Sequence, residues 1–266
     1  MIRDITLGQY YPADSVLHRL DPRVKLCGTL LYVISLFLFQ SFTGYIVATV
    51  FLVSMIVLSH VPVTFMFRGL KAVMILLVFT AVLNAFLTPG RVLVSFWRVT
   101  ITIEGLKLAA FMVVRLIYLI TGSSIMTLTT TPSNLTDGLE KGLGWLKIIK
   151  VPVHEIAMMM AIALTFIPVL LEETDKIIKA QQSRGADFES GNLIHRIKAL
   201  VPILVPLFVS AFRRANELAI AMESRCYRGG EGRTKLHPLK YAMRDYIAYA
   251  VLLLYIAAII VVGILF

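Results

Sequence analysis

The sequence predicts an all-α, polytopic membrane protein with about five transmembrane helices and a cytoplasmic coupling-helix region of two long bent helices plus a short one. Hydrophobic residues make up 58% of the 266 residues, and the mean hydropathy is +0.81, well above the range of soluble domains. The apolar residues are gathered in runs that are long enough to cross a bilayer. The formal net charge of +10 is typical of cytoplasmic loops or of an acidic partner in such a protein, rather than of nucleic-acid binding.

The polar N-terminal segment, residues 1–23, is predicted to be cytoplasmic. Asp21-Pro22 has the pattern of a helix start, with aspartate as the N-cap and proline at the first helical position. Arg23 and Lys25 follow at the expected membrane edge, and such cations favour the cytoplasmic side. The N-terminus is therefore expected inside the cell.

Transmembrane helices are predicted within residues 24–131, at four apolar runs: about 24–41, 44–59, 70–88 and 105–128. Asn84 and Arg115 lie inside these runs. Asn84 is expected to hydrogen-bond a neighbouring helix, and Arg115 to tie its helix to another one rather than to mark an ion pathway. Residues 89–104 are expected to be an extracellular loop, with Trp97 as an interfacial anchor.

Residues 132–242 are predicted to form a cytoplasmic or interfacial region. Ser133 or Asn134 can cap a short helix at about 134–143. Two long amphipathic helices follow between Val153 and Arg228, because apolar residues recur on one face of each at steps of three and four. About 33 residues of helix would be roughly 50 Å long, so each is expected to lie along the membrane surface or to slant out of it.

Prolines inside the long helices are expected to bend them, since each proline removes a backbone hydrogen bond. These prolines are Pro168, Pro202 and Pro206. A final span at about 243–264, within a last region 243–266, would place the C-terminus outside the cell.

Catalytic patterns are absent from the sequence. It has no pair of histidines one helical turn apart for zinc, no glycine-rich phosphate loop and no nucleophile elbow. We therefore expect no catalytic, cofactor-binding or metal site, and the chain is not expected to be an enzyme.

Each long helix ends in a short arginine motif. The first is Ser183-Arg184-Gly185 and the second is Ser224-Arg225-Cys226. An arginine head group can bind carboxylates and backbone carbonyls in a partner's groove, and glycine can take the left-handed conformation that stops a helix. One such motif would be interpreted as a solvated cation that favours the helix dipole. Two motifs at matching ends of paired helices favour docking to a partner that supplies energy.

The order of these motifs resembles the transmembrane T component of energy-coupling factor transporters, the EcfT/CbiQ family. The matching stretches cover nearly the whole chain: Gly8-x-Tyr10, His18 to Leu26, Glu104-Gly105-Leu106, Thr129-Thr130-Thr131-Pro132 and the two arginine motifs. The resemblance implies a scaffold in a bacterial or archaeal cell membrane. It would join two cytoplasmic ABC ATPase subunits to one membrane-embedded vitamin- or metal-binding subunit, and would couple ATP hydrolysis to movement of that subunit.

By the resemblance, the two arginine motifs would dock the ATPases, with Arg184 and Arg225 as the coupling arginines. Cys226 stands where the family pattern has glycine, which is expected to alter that helix end. The substrate-binding subunit would dock on a methionine-rich face: Ile156, Met158, Met159, Met160, Ile162 and Phe166. Methionine-rich faces can repack against different partners, but the residues alone favour internal packing against the other long helix equally well. The alternative function is a stand-alone permease that lines its own substrate path, although the spans hold few polar residues.

Overall fold

The computed structural model describes residues 10–39, 41–96, 99–186, 188, 193–230 and 238–265. Within this part, the chain forms eight α-helices: α1 (Pro22–Leu38), α2 (Phe42–Ser59), α3 (Val63–Leu87), α4 (Ile103–Thr129), α5 (Pro132–Gly142), α6 (Val153–Ser183), α7 (Leu193–Ser224) and α8 (Met243–Leu265). A β-hairpin, β1 (Val92–Phe96) and β2 (Val99–Thr102), lies between α3 and α4, and a short 3-10 helix at Gly144–Ile149 precedes α6.

The all-α class predicted from the sequence is confirmed. The predicted spans correspond to α1, α2, α3, α4 and α8, and the two long helices correspond to α6 and α7. The segment 89–104 is not the plain loop that we expected, because it contains the hairpin. β-Branched residues at 92, 94 and 99–102 favour strand there. Trp97 lies outside the described residues.

Among the described residues, five helices are long and apolar enough to cross a membrane: α2, α4, α6, α7 and α8. The count agrees with the sequence prediction, but the set differs from it. The long helices α6 and α7, expected at the surface or slanting, each contain an apolar stretch of spanning length. Conversely, α1 has 17 residues, and α3 qualifies only as two segments joined at a bend.

The chain divides into two compact units. We call Gly8–Lys141 with Leu239–Phe266 the membrane base, and Gly142–Pro238 the long-helix unit. The short helix α5 belongs to the membrane base, where a Cβ atom on Gly138 would lie 2.8 Å from the Cβ atom of Pro22. The long-helix unit contains α6, α7 and the 3-10 helix.

Aromatic rings fill the core of the membrane base. The rings of Phe51 and Tyr255 stack with centroids 4.1 Å apart, and Tyr32 packs beside both. Buried phenol groups need hydrogen-bond partners, and they have them: the Tyr255 hydroxyl lies 2.9 Å from Ser35 Oγ, and the Tyr32 hydroxyl donates to the Tyr118 carbonyl. These buried hydroxyl groups are therefore satisfied within an apolar core.

Asn84 and Arg115, which lie inside predicted spans, both donate to backbone carbonyl groups. Arg115 donates to the Phe39 carbonyl at 3.1 Å, which is the structural tie to another helix that we expected. Asn84 donates to the Thr80 carbonyl at 2.8 Å, a residue of its own helix, so the expected bond to a neighbouring helix is wrong.

The Glu104-Gly105-Leu106 stretch positions the start of α4 against α3. A Cβ atom on Gly105 would lie 2.9 Å from the Asn84 carbonyl oxygen, so glycine permits this close approach of two backbones. Thr102 caps the helix by accepting the Gly105 N–H and donates to the Thr88 carbonyl, while Glu104 accepts the Arg91 N–H at 2.7 Å.

Candidate functional site

The first arginine motif ends α6 in a helix-stop with two characteristic hydrogen bonds. The Gly185 N–H donates to the Gln182 carbonyl at 2.9 Å, and the Ala186 N–H donates to the Gln181 carbonyl at 3.0 Å. Gly185 has φ +86°. This is a Schellman motif, in which a left-handed residue turns the chain and satisfies carbonyls at the helix end.

The second arginine motif ends α7 in the same way. The Cys226 N–H donates to the Glu223 carbonyl at 2.8 Å, and the Tyr227 N–H donates to the Met222 carbonyl at 3.1 Å. Cys226 takes φ +56°, the left-handed conformation in which non-glycine residues are strained. The expectation that Cys226 alters this helix end is therefore wrong for the backbone, which has the same hydrogen-bond pattern as the first end.

Both ends present their side chains in matching positions. Arg184 and Arg225 occupy the last position before the left-handed residue, and both are exposed. The serine before each arginine donates back to its own helix, Ser183 to the Lys179 carbonyl at 3.0 Å and Ser224 to the Ile220 carbonyl. A Cβ atom on Gly185 would meet nothing within 4 Å. Each of the two helices therefore ends in a hydrogen-bonded cap and has an exposed guanidinium group at that end.

Two polar contacts between described residues join helices α6 and α7. Arg214 and Glu173 form an ion pair at 3.3 Å, and the Gln181 side-chain amide donates to the Pro202 carbonyl at 3.3 Å. Pro206 has no N–H to donate to that carbonyl within α7, so Gln181 satisfies an acceptor that the proline leaves open. Along α6 the ion pair comes before the amide bond, whereas along α7 it comes after it, so the two helices pack antiparallel.

The methionine-rich face of α6 is divided between open and half-buried positions. Ile156, Met159 and Met160 are 41%, 59% and 39% exposed, while Met158, Ile162 and Phe166 are half-buried. Val153 and Ala157 form the buried side of the same helix segment. Half of the predicted docking set is therefore available on the surface of this unit.

The His18 to Leu26 stretch forms a network of buried charges in the membrane base. Asp21 caps α1, as predicted, and its carboxylate binds Arg23 at 2.9 Å. The Asp21 N–H in turn donates to Asp245 at 2.8 Å. The other carboxylate oxygen of Asp245 accepts the Ala242 N–H at 2.8 Å, so the carboxylate joins the N-terminal segment to the start of α8.

Arg23 and Lys25 of this stretch contact groups within the protein. Lys25 donates to the carbonyls of Thr129 at 2.8 Å and His18 at 3.3 Å. Arg23 lies over the ring of Tyr241, 4.0 Å from its centroid. The sequence identified these cations by charge alone and missed both their partners and Asp245, which is 1% exposed.

His18 and Asp21 have shifted pKa values. Burial lowers the pKa of His18 below its usual 6.5. Its Nε2 lies 3.0 Å from the Tyr11 carbonyl, so Nε2 carries the proton and Nδ1 accepts from the Ser15 hydroxyl at 2.7 Å. Burial opposes ionisation of Asp21, but the bonds from Arg23 outweigh it and hold the pKa of that carboxyl below its usual value.

The short helix α5 begins earlier than the sequence predicts. It starts at Pro132, and the Thr131 hydroxyl accepts the Asn134 N–H at 3.3 Å. Thr131 therefore caps the helix instead of Ser133 or Asn134, because Pro132 occupies the first helical position and the residue before it is the N-cap. Among the described residues, no cluster of histidine, cysteine or acidic side chains could hold a metal ion.

Comparisons with known proteins agree over the whole chain. The family model CbiQ, described as cobalt transport protein, matches residues 13–236. The energy-coupling factor transporter transmembrane protein EcfT of Clostridium kluyveri is 57% identical over 250 residues, which is 93% of each chain. The EcfT protein of Ruminiclostridium cellulolyticum is 50% identical over 266 residues, the full length of both chains. That of Lactococcus lactis subsp. cremoris is 45% identical over 245 residues, or 92% of each.

Proposed function

As a member of the CbiQ family, the chain is the transmembrane component of an energy-coupling factor transporter, and we propose that its two arginine helix ends dock the ATPase subunits that drive transport. The docking residues are three at each end: Ser183, Arg184 and Gly185, and Ser224, Arg225 and Cys226. The chain acts as a non-catalytic scaffold, and ATP is hydrolysed by its partners.

The proposal rests on one observation: the two arginine motifs end their helices with the same C-terminal capping structure. Both ends use the same pair of Schellman hydrogen bonds, and Cys226 adopts a strained left-handed conformation to complete the second. A left-handed non-glycine residue costs about 1–2 kcal/mol. A solvated helix end does not need that geometry, whereas a guanidinium that enters a groove needs a fixed exit direction of the chain.

Two separate ATPase subunits fit the arrangement of the helix pair. The contacts between α6 and α7 show that the two helices pack antiparallel. Their C-terminal ends therefore point in opposite directions. Arg184 follows closely after Gln181, while Arg225 lies most of three turns beyond Arg214. Each arginine can therefore engage its own subunit.

The methionine-rich face of α6 docks the membrane-embedded subunit that binds the vitamin or metal. Ile156, Met159 and Met160 are exposed on it, and Met158, Ile162 and Phe166 support them from half-buried positions. Methionine side chains adapt to differently shaped partners. Closure of the ATPases on nucleotide moves the two arginine ends relative to each other, and the long helices transmit this movement to the docked subunit.

The orientation follows from the distribution of cations. The cation-rich region 132–242 lies in the cytoplasm or at the membrane interface, the N-terminal segment 1–23 lies in the cytoplasm, and the C-terminus lies outside. Residues 24–131 and 243–266 hold the predicted transmembrane helices. This orientation brings both arginine ends to the side of the membrane where ATP is available.

Charge reversal at each arginine tests the proposal. Arg184→Glu and Arg225→Glu, separately and together, are compared with the native chain by affinity co-purification from membranes, with ATPase activity and uptake measured on each complex. Each reversal is expected to shed ATPase or to uncouple hydrolysis from uptake, and the double variant is expected to bind none.

The matched control is Arg213→Glu, an exposed arginine of α7 that is away from the helix end. It should retain the ATPase subunits. If Arg213→Glu loses them as fully as Arg225→Glu does, general charge and not the helix end is responsible. If the native chain transports substrate without any nucleotide-binding partner, the stand-alone permease is the better account.

A further inference from the structure

An elongated cavity of about 210 Å³ lies in the membrane base between α1, α2, α4 and α8. It is lined by the part of each helix that lies nearest the N-terminal segment: Val24 to Tyr32 of α1, Phe51 to Leu58 of α2, Gly122 to Thr129 of α4 and Arg244 to Leu252 of α8. Eight or nine residues of helix cover about 12 Å. The cavity is therefore a slot that runs from the edge of the bundle towards its interior.

The lining is apolar along most of the slot and cationic at its outer end. Leucine, valine, isoleucine, methionine and aromatic side chains form the inner part. Lys25 and Arg244 lie at the outer end, and no acidic side chain is among the residues that line it. An apolar cavity larger than the roughly 150 Å³ that accepts a benzene-sized ligand favours a hydrocarbon occupant over water.

The two cations differ in how far the part of the chain that the structure describes offsets their charge. Lys25 donates only to carbonyl groups. The carboxylates of Asp21 and Asp245 lie near enough to attract Lys25 electrostatically and offset part of its charge, although Asp21 also binds Arg23. Arg244 is exposed and forms no ion pair with a described residue. The outer end of the slot therefore attracts an anion.

The slot is open along one side. Four of its lining residues are about half exposed: Val16 at 56%, Leu58 at 46%, Ile247 at 59% and Val251 at 52%. Leu58, Ile247 and Val251 belong to α2 and α8, so the opening lies between these helices. A chain can enter it sideways from the surrounding bilayer, without passing through the core.

We propose that this slot binds one acyl chain of an anionic phospholipid, whose phosphate lies against Lys25 and Arg244. The length and apolar lining select the hydrocarbon chain, and the cations at the outer end, above all Arg244, which forms no ion pair with a described residue, select the negative head group. The bound lipid fills the space between α1, α2, α4 and α8 at the edge of the base where the N-terminal segment packs.

Native mass spectrometry of the purified full chain tests this, with dioleoylphosphatidylglycerol as the anionic probe and dioleoylphosphatidylcholine as the zwitterionic one. The native chain should retain one anionic lipid in preference to the zwitterionic lipid. Val251→Trp closes the opening and should lower retention at least about tenfold, because it displaces several methylenes from apolar contact. Arg244→Gln should lower retention of the anionic lipid about fivefold and reduce the preference for it.

Matched controls separate the slot from general effects of substitution. Val261→Trp changes a residue of α8 that is 53% exposed and does not line the slot, and Arg91→Gln removes an exposed cation elsewhere; both should bind lipid as the native chain does. If Val251→Trp does not fold, Gly28→Leu replaces it, since a Cβ atom there would lie 3.9 Å from Leu252 and the side chain would extend into the slot. Gly263→Leu is its control, because a Cβ atom there meets nothing within 4 Å.

Three results would overturn the proposal. The first is equal retention by the native chain, the slot-filling variant and Arg244→Gln. The second is equal binding of the anionic and zwitterionic lipids by the native chain. The third is displacement of the retained lipid by oleate at equal concentration, which would assign the slot to a free fatty acid.

Discussion

The membrane base and the long-helix unit differ in the burial and bonding of their charged side chains. In the base, Asp21 and Asp245 are buried, and each is engaged by several donors. In the long-helix unit, the described contacts between α6 and α7 include one half-buried ion pair and one amide bond, and the two terminal arginines are exposed. In the base, Asp21 and Asp245 join distant parts of the chain to one another, whereas the arginines at the ends of the long helices are open to solvent.

This difference implies that the two units respond differently to force. Removing one partner from a buried charge is strongly destabilising, by about 3–5 kcal/mol, so the base resists rearrangement. A partly exposed ion pair is worth about 0–1 kcal/mol, so the contacts of α6 with α7 can be exchanged at low cost. We infer that the long-helix unit is the part that moves when ATP is used.

The largest expected effect is in the base, at Asp245. Asp245→Ala removes the acceptor for the N–H groups of Asp21 and Ala242 and should lower the free energy of unfolding by about 3 kcal/mol, since two hydrogen bonds to a charged group are lost. Thermal unfolding of the purified chain measures this. Asp245→Asn, which keeps one acceptor oxygen, should lose clearly less, and equal losses in both variants would contradict the assignment.

A smaller and opposite effect is expected at the two helix ends. Cys226→Gly should stabilise the end of α7 by about 1 kcal/mol, because glycine takes the left-handed conformation without strain. Amide hydrogen exchange at Cys226 and Tyr227, whose N–H groups make the terminal bonds, should slow about fivefold. Gly185→Ala is the converse substitution and should speed exchange at Gly185 and Ala186 by a similar factor. Faster exchange in Cys226→Gly would show that the cysteine side chain itself supports the turn.

The contacts between α6 and α7 should contribute less to stability. Gln181→Ala leaves the Pro202 carbonyl without its side-chain donor and should cost about 0.5–1 kcal/mol. Because that contact lies close to Arg184, we expect uptake per ATP hydrolysed to change more than the melting temperature does. Gln182→Ala, at the neighbouring exposed position, is the control. If both variants behave as the native chain does, the amide has no role in coupling.

The smallest expected effect is a pH dependence that belongs to the base. The pKa of His18 is lowered from 6.5, mainly by burial, with Lys25 and His60 acting in the same direction and Asp14 and the Tyr11 carbonyl opposing them. The folded chain therefore keeps the imidazole neutral where the unfolded chain binds a proton, and this stability is lost as the pH falls below 6.5 towards the folded pKa. Melting temperatures measured from pH 8 to pH 6 should fall, and His18→Gln should reduce the slope. A slope that His18→Gln leaves unchanged would assign the effect to another group.

The sequence predicted the local features of this molecule well. The cap at Asp21-Pro22, the two long helices and the arginine ends all depend on neighbouring residues, and the structure contains each of them. The cap of α5 was misplaced because Thr131, Ser133 and Asn134 are all good capping residues, and only the hydrogen bond to the Thr131 hydroxyl distinguishes them.

Features that depend on distant residues could not be predicted. Asp245 bonds to the backbone of Asp21, 224 positions away, and nothing near Asp245 in the sequence indicates this partner. The left-handed turn at Cys226 is a local feature, but the sequence does not indicate it either, because cysteine disfavours that conformation and only the two Schellman bonds to the preceding turn stabilise it. The exposed faces of α6 and α7 also resemble ordinary spanning helices by composition, so their exposure follows only from the packing.

The central claim, that the long helices move while the base stays fixed, is tested most directly by pulsed electron paramagnetic resonance on the assembled transporter. Spin labels are placed at Ser183→Cys and Ser224→Cys after Cys27→Ser and Cys226→Gly remove the two exposed thiols, and a second sample carries labels at Leu30 and Val57, exposed residues of the base. The account predicts that ATP binding shifts the distance between the helix ends and leaves the distance within the base unchanged. Active transport with an unchanged distance between the helix ends, or with an equal shift within the base, would contradict it.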